Sequence, residues 1–214
     1  MLTDKFAFKS IASISLAIAI LMNISACNTE KNDRIVTHAD YKTYSDIEDV
    51  VADTDVIVIG KVKKVYPPQE WNINLDKTEA PVNQVFTLSD IEVISSAKGP
   101  SPNTIITIKQ PGGVYKGKTY EEEGTIFVET EKEYLFFLDS YDDWDPKEPY
   151  SLINPSQGMI EVNDNYLKSN NNLAYIENSI SKTEIIEKLK AINENLPTKK
   201  IQIDRELEDK LRNR

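Results

Sequence analysis

Short segments rich in β-branched residues recur from residue 56 to residue 162, separated by proline and glycine turns, and they constrain the fold more than any other feature of the sequence. Val and Ile favour strands because their branched side chains pack well on a pleated surface. The first segment, Val56–Val65, carries Gly60 at its centre, where a strand can bulge or bend sharply. We therefore expect Val56–Val65 to be the first core strand and Gly60 to form a corner of a barrel.

Further strands are predicted where apolar and polar residues alternate or where a short apolar run is bounded by turn residues. These strands are 84–94, 104–110, 125–128, 133–138, 150–153 and 159–162. The segment 69–81 has no clear period and is predicted to be a long loop, and Pro111, Gly112 and Gly113 are predicted to end a strand. Such short strands with only brief helices favour an antiparallel barrel or sandwich over a βαβ fold.

Two helices are predicted from the spacing of their capping residues. Ser45 and Glu48 have the spacing of a capping box and predict a helix over 45–52. Ser181 and Glu184 repeat that spacing near the carboxyl end of the chain. An apolar stripe follows them at helical intervals, formed by Ile185, Ile186, Leu189 and Ile192. We expect this second helix to pack on the barrel through that stripe.

Four segments between residues 53 and 138 resemble, in order, the barrel strands of netrin-like domains and tissue inhibitors of metalloproteinases. They are DVIVIGKV at 55–62, IEV at 91–93, KGP at 98–100 and EYL at 133–135. The resemblance implies a mainly β fold, an OB-like antiparallel β-barrel, here with a short N-terminal helix and a packed C-terminal helix. Inhibitors of this family place a free amino-terminal cysteine on the protease zinc and carry several disulfides. The present chain has one cysteine, so no inhibitory residue is carried over.

Charge and residue counts exclude several function classes. Among 214 residues, 25 are basic and 35 are acidic, giving a net charge of -10, the wrong sign for binding phosphate backbones. Nucleic acid is therefore not an expected partner. A single Cys and a single His exclude an internal disulfide and a zinc site of the usual Cys/His kind. We expect no cofactor.

The amino terminus has the pattern of a secretory signal, with Lys5 and Lys9 before the apolar run 11–22. The run is shorter than the ~20 residues that a membrane-spanning helix needs. The next residues, ISAC at 24–27, resemble the bacterial lipobox. The resemblance implies cleavage between Ala26 and Cys27 and attachment of diacylglycerol to the Cys27 sulfur. Two or three acyl chains would hold the protein on a membrane, whereas a single chain would not.

The sequence therefore predicts five regions. They are a signal peptide (1–26), a lipid-anchored flexible tether (27–44), a β-barrel domain (45–165), a C-terminal helical segment (166–197) and a charged tail (198–214). The expected location is the extracytoplasmic face of the cell membrane. The expected partners are the membrane, reached through the lipid anchor, and an unidentified surface protein or glycan.

An acidic and aromatic cluster follows the predicted strand 133–138. Its carboxylates are candidate ligands for Ca²⁺, which prefers hard oxygen atoms, and they belong to Asp139, Asp142, Asp143 and Asp145. Their spacing differs from that of an EF-hand, so a solvated loop is the alternative interpretation. The aromatic residues Trp71, Tyr141 and Trp144 are candidate binding residues, since aromatic rings stack on sugars and anchor partners.

No catalytic constellation is recognisable in the sequence. His38 lies in the polar segment predicted as the tether, where solvent exposure is expected. We therefore predict a non-enzymatic, membrane-anchored binding or interaction module that binds through loops 67–81 and 139–149. One alternative is a carboxylate-dependent surface hydrolase that uses Asp142, Asp143 or Glu148. Another, based on the family resemblance alone, is a protease-inhibitor-like protein.

The lipid anchor is directly testable. Labelled palmitate should enter the wild-type protein and not Cys27→Ala, because the thioether to diacylglycerol requires the sulfur atom. Metabolic labelling followed by immunoprecipitation measures this, and Ser13→Ala, a substitution in the apolar run, should label normally. Equal labelling of Cys27→Ala and wild type would contradict the lipoprotein interpretation.

Overall fold

The computed structural model describes residues 33–73, 80–143, 145–168 and 180–196, all within one compact unit, Asp33–Arg214. In this part of the chain there are ten strands and two helices. The strands are β1 (Arg34–Thr37), β2 (Val56–Val65), β3 (Gln69–Asn72), β4 (Asn83–Lys98), β5 (Ile105–Tyr115), β6 (Lys118–Glu122), β7 (Glu133–Asp139), β8 (Tyr150–Leu152), β9 (Met159–Asn163) and β10 (Tyr166–Leu167). The helices are α1 (Ile47–Asp53) and α2 (Lys182–Asn195).

Five of the strands close into a barrel. β2 pairs antiparallel with β4 on one side and with β7 on the other, and β4 pairs antiparallel with β5. The short strand β8 completes the ring, parallel to β5 and antiparallel to β7. This closed five-stranded β-barrel with two helices confirms the predicted mainly β, OB-like fold.

The first core strand has the predicted bounds, Val56–Val65. Its pairing with β4 shifts register between Ile59 and Gly60, so the strand bends there as expected for a barrel corner. Gly60 is required because a Cβ atom at this position would lie 2.3 Å from Cγ2 of Ile91.

Apolar side chains fill two compartments, one on each face of β2 and β7. Alternate residues such as Val58 and Phe136 belong to a cluster supplied by all five barrel strands, which is the barrel interior. Their neighbours Ile57 and Phe137 belong to a second cluster, completed by residues of both helices. Both faces of β7 are therefore buried, as its continuous apolar sequence predicts.

The two helices differ in how well their caps are predicted. α1 is capped by Asp46, whose side chain accepts a hydrogen bond from the Asp49 backbone N–H, so the predicted Ser45 cap is wrong by one residue. α2 begins as expected, with Ser181 accepting from the Glu184 N–H at 3.2 Å. The apolar stripe of α2 buries Ile185, Ile186 and Leu189 in the second cluster, against the outer faces of β2 and β7.

Two predicted boundaries are wrong because they depend on contacts between distant segments. The predicted loop 69–81 begins with β3, which pairs with the first residues of β4. β5 continues through Gly112 and Gly113 and pairs with β6, although these residues were expected to end the strand. A Cβ atom at Gly113 would lie 2.4 Å from Cγ of Pro68, so glycine permits close approach of two chain segments.

The predicted strand 125–128 is also wrong, since these residues form no ladder. The side chain of Gln110 binds this segment instead. Its Nε2 atom donates to the carbonyl of Ile126 at 2.8 Å, and its Oε1 atom accepts from the Val128 N–H at 3.0 Å. One buried amide therefore takes the place of a partner strand.

The segment before α1 contacts the barrel domain at several points. Arg34–Thr37, within the region predicted to be the tether, forms β1 and pairs in parallel with β6. His38 is exposed, as expected, and its Nδ1 atom lies 2.7 Å from Oε2 of Glu123. Neither helix of the described ranges is long and apolar enough to cross a membrane.

The bend at Gly60 yields a stability prediction. Gly60→Ala should lower the free energy of unfolding by about 1–3 kcal/mol, because the added methyl group overlaps the β-branched Ile91 side chain. Urea denaturation measures this change. Gly117→Asn is the matched control, since no atom lies within 4 Å of a Cβ there and Asn tolerates its φ of +74°. A Gly60→Ala protein as stable as wild type would contradict the argument.

Candidate functional site

A cavity of about 320 Å³, lined by both apolar and charged side chains, lies beside β4, β5 and β8. Strand alternation places its walls on the outer side of the barrel, because Ile108 points into the core and its neighbour Lys109 lines the cavity. Ile73 after β3 and Glu148 before β8 extend over the same space. We call this space the β4–β5 cavity. OB-like barrels bind ligands on the face formed by their second and third strands and through the loops after their first and fourth strands. In this barrel the second and third strands are β4 and β5, and the two loops follow β2 and β7. The β4–β5 cavity lies on this face, beside these loops.

A buried ion pair forms one wall of the cavity. The Lys109 ammonium donates to Oε1 of Glu148, and the two side chains are only 7% and 12% exposed. Trp71 Nε1 donates to the same carboxylate oxygen at 2.9 Å. The Lys109 Nζ atom also lies 4.3 Å from the ring centroid of Tyr141. Each charged group is thereby held in one position by at least two neighbours.

A second carboxylate, that of Glu122 at the end of β6, is only 6% exposed and lines the same cavity. It accepts hydrogen bonds from the Tyr41 hydroxyl and, at 3.3 Å, from Gln84 Nε2. Partial burial, and next the hydrogen bond to Glu122, raise the pKa of Tyr41. Tyr41 therefore remains a protonated donor at neutral pH. Among the residues that the structure describes, Glu122 has no cationic partner.

Two further polar groups line the cavity. The Thr125 hydroxyl oxygen is buried and has no hydrogen-bond partner in the described part of the chain. Asp139, at the end of β7, contributes a third carboxylate. With Lys109 as the one cation among the described lining residues, the cavity has a formal charge of -2.

Only some of the candidate residues predicted from the sequence lie at the cavity. Tyr141 and Asp139 line the cavity, and Trp71 binds Glu148 beside it. Asp142 and Asp143 lie exposed in a turn. The side chain of Asp145 accepts from the Lys147 backbone N–H at 3.0 Å. Ala26, Cys27 and Trp144 lie outside the described residues.

The acidic loop does not assemble a metal site in the described ranges. No group of three or more His, Cys, Asp or Glu side chains there is arranged to hold a metal ion. Asp139 contributes to the cavity wall, whereas Asp142 and Asp143 extend into solvent. The structure therefore gives the calcium interpretation no additional support.

Sequence reasoning missed most of the cavity residues, including the four polar residues Tyr41, Gln84, Lys109 and Glu122. Lys109 occupies the polar side of an alternating strand, a pattern typical of solvent exposure. Glu122 belongs to a run of three glutamates that resembles an ordinary charged surface. Only Gln84 and Lys109 lie in predicted strands, and no local signal marks any of the four as a cavity residue.

No protein-family model matches the chain, and no curated protein matches it. The function is therefore argued from the geometry of the site.

The buried ion pair predicts a large stability effect. Glu148→Leu should destabilise the protein by about 3–5 kcal/mol, because it leaves the Lys109 ammonium buried without its carboxylate. The double variant Lys109→Met/Glu148→Leu should recover much of that loss, since no unpaired charge remains. Urea denaturation of the single and double variants gives the coupling energy.

An exposed ion pair provides the matched control. Glu129→Gln breaks the pair with Lys132, in which the side chains are 66% and 39% exposed, and should leave the free energy of unfolding nearly unchanged because solvent and salt screen such a pair. If Glu148→Leu lowers the free energy of unfolding no more than Glu129→Gln does, Lys109 is not held by Glu148 in a buried ion pair.

Proposed function

We propose that the chain is a non-enzymatic lipoprotein, anchored through Cys27 to the extracytoplasmic face of a bacterial cell membrane, whose barrel is a binding module with its ligand in the β4–β5 cavity. The observation that carries the binding role is the cavity itself. Ligand sites are concave, with apolar or aromatic walls and a few fixed polar groups. The β4–β5 cavity has these properties, with Phe86, Tyr41 and Tyr141 as aromatic walls.

Preorganisation of the polar groups supports this role. Lys109 and Glu148 hold each other, Trp71 orients the Glu148 carboxylate, and Tyr41 and Gln84 orient the carboxylate of Glu122. A ligand that meets such fixed groups loses less free energy to side-chain ordering than one that binds a mobile surface.

The hydrolase alternative draws less support from the same geometry. Of its three candidate acids, Asp142 and Asp143 are exposed, and Glu148 is engaged by both Lys109 and Trp71. A general acid must be free to donate its proton to the substrate, whereas two protein donors already occupy Oε1 of Glu148. The binding module is therefore the function that we propose first.

The anchor part of the proposal rests on the sequence from Lys5 to Cys27, which resembles the signal peptides of bacterial lipoproteins. The full chain has a net charge of -10 and would repel anionic lipid, so its attachment would depend on the acyl chains. The module would then act on ligands or partners outside the cell.

A ligand screen with a blocked cavity tests the binding role. Ile73 is 42% exposed and lines the cavity, so Ile73→Trp should obstruct the cavity without disturbing the core. Small amines, carboxylates, sugars and short peptides are screened by thermal shift. At least one class should raise the melting temperature of wild type and not that of Ile73→Trp, because ligand binding stabilises the native state.

Ile105→Trp is the matched control, since Ile105 is 54% exposed on β5 and does not line the cavity. This variant should respond to ligand as wild type does. If ligands stabilise Ile73→Trp as much as wild type, or if no class stabilises wild type, the cavity is not the ligand site.

A further inference from the structure

We propose that the β4–β5 cavity selects an organic cation, a primary ammonium or guanidinium group of the kind that lysine and arginine side chains or small amines carry. This inference rests on the proposed function, since it names the ligand class of the same cavity. Four observations carry it: the charge of the lining residues, the burial and hydrogen bonding of Glu122, the ion pair that fixes Lys109, and the aromatic walls.

The charge of the lining favours a cation. Glu122 and Glu148 alone supply two carboxylates against the ammonium of Lys109, the one cation among the described lining residues. A negative potential in a partly dehydrated cavity attracts cations more strongly than the same charges in water would, because screening there is weaker. An anionic ligand would enter against this potential.

Glu122 is the group that a cation would complement. Its carboxylate is buried and receives hydrogen bonds only from the neutral donors Tyr41 and Gln84 among the described residues. Buried carboxylates are ordinarily paired with a positive group. A carboxylate offers about four acceptor positions, so two neutral donors leave room for an N–H donor of the ligand.

Lys109 does not supply that missing charge. Its ammonium is held by Glu148, beneath the ring of Tyr141, and no ion pair joins it to Glu122 in the described part of the chain. The positive charge of Lys109 is thus balanced by Glu148, whereas the negative charge of Glu122 remains unbalanced in the wall of the cavity.

The remaining lining groups suit an ammonium or guanidinium ligand. Three aromatic residues, Tyr41, Phe86 and Tyr141, line the cavity, and aromatic ring faces attract ammonium and guanidinium groups. A neutral sugar could use the hydrogen bonds but would leave the charge of Glu122 unbalanced.

The test compares isosteres that differ in charge. The full chain, purified in a neutral detergent, is titrated by calorimetry with n-butylammonium, n-butylguanidinium, n-butanol and butyrate. The two cations should bind at least about tenfold more tightly than butanol, and butyrate most weakly. Nα-acetyl-lysine amide and Nα-acetyl-arginine amide distinguish a peptide side chain from a free amine as the source of the cation. Tighter binding of the acetylated amino acids would indicate a peptide ligand.

Variants test whether Glu122 is the group that binds the cation. Glu122→Gln should weaken cation binding by about thirtyfold and leave butanol binding unchanged, because only the charge is removed. Glu123→Gln is the matched control, since its side chain is 75% exposed, and it should bind cations as wild type does. Ile73→Trp, at an exposed position, should abolish cation binding and keeps the test valid if Glu122→Gln fails to fold.

The outcomes separate this inference from the proposed function. Cation binding that is equally strong in Glu122→Gln, or no preference for cations over butanol, overturns the inference. If neutral or anionic compounds bind wild type and not Ile73→Trp while the cations do not bind, the inference is overturned and the binding module stands. If no compound of any charge binds the cavity, both are overturned.

Discussion

The parallel contact between β5 and β8 closes the barrel, and the position of the cavity depends on it. β8 has only three residues, yet it pairs Ile108 with Tyr150 and Lys109 with Ser151 on one side and Leu138 with Leu152 on the other. Because β8 lies next to Lys109, the loop that leads into β8 must pass close to the Lys109 side chain. Glu148 lies on that loop and pairs with Lys109. The same closure that completes the core therefore assembles one wall of the cavity.

Elements with local signals are predictable from the sequence. Val56–Val65 is recognised by its β-branched composition, and α2 by the Ser181 cap and its apolar stripe. The errors occur where a distant segment decides the outcome. β5 extends past Gly112 because β6 is available to pair with it, and 125–128 forms no strand because the Gln110 side chain binds its backbone. Neither partner can be identified from the residues of the segment itself.

Of the residues in the candidate site, only some of the aromatic and acidic ones are predictable from the sequence. Trp71 and Tyr141 stand out as aromatic residues in segments that the sequence predicts to be loops, and both contact the Lys109–Glu148 pair. Lys109, Glu122 and Tyr41 do not stand out, since each occupies a position where a polar surface residue is ordinary. The burial of Lys109 and Glu122 arises from loops and strands that approach from far along the chain. Burial is a property of the tertiary fold, and residue type alone does not encode it.

Charge acts on two length scales in the proposed module. Over distances comparable to the Debye length, about 8 Å at physiological ionic strength, the field of the whole acidic domain determines which ligands approach. The proposed cleavage before Cys27 removes Asp4, Lys5 and Lys9, so the net charge changes from -10 to -11 and this field persists. Inside the cavity, Glu122 acts at hydrogen-bond distance and is screened far less by salt. Salt should therefore slow the association of a cationic ligand more than it speeds its dissociation, because the long-range attraction is screened while the buried contact is retained.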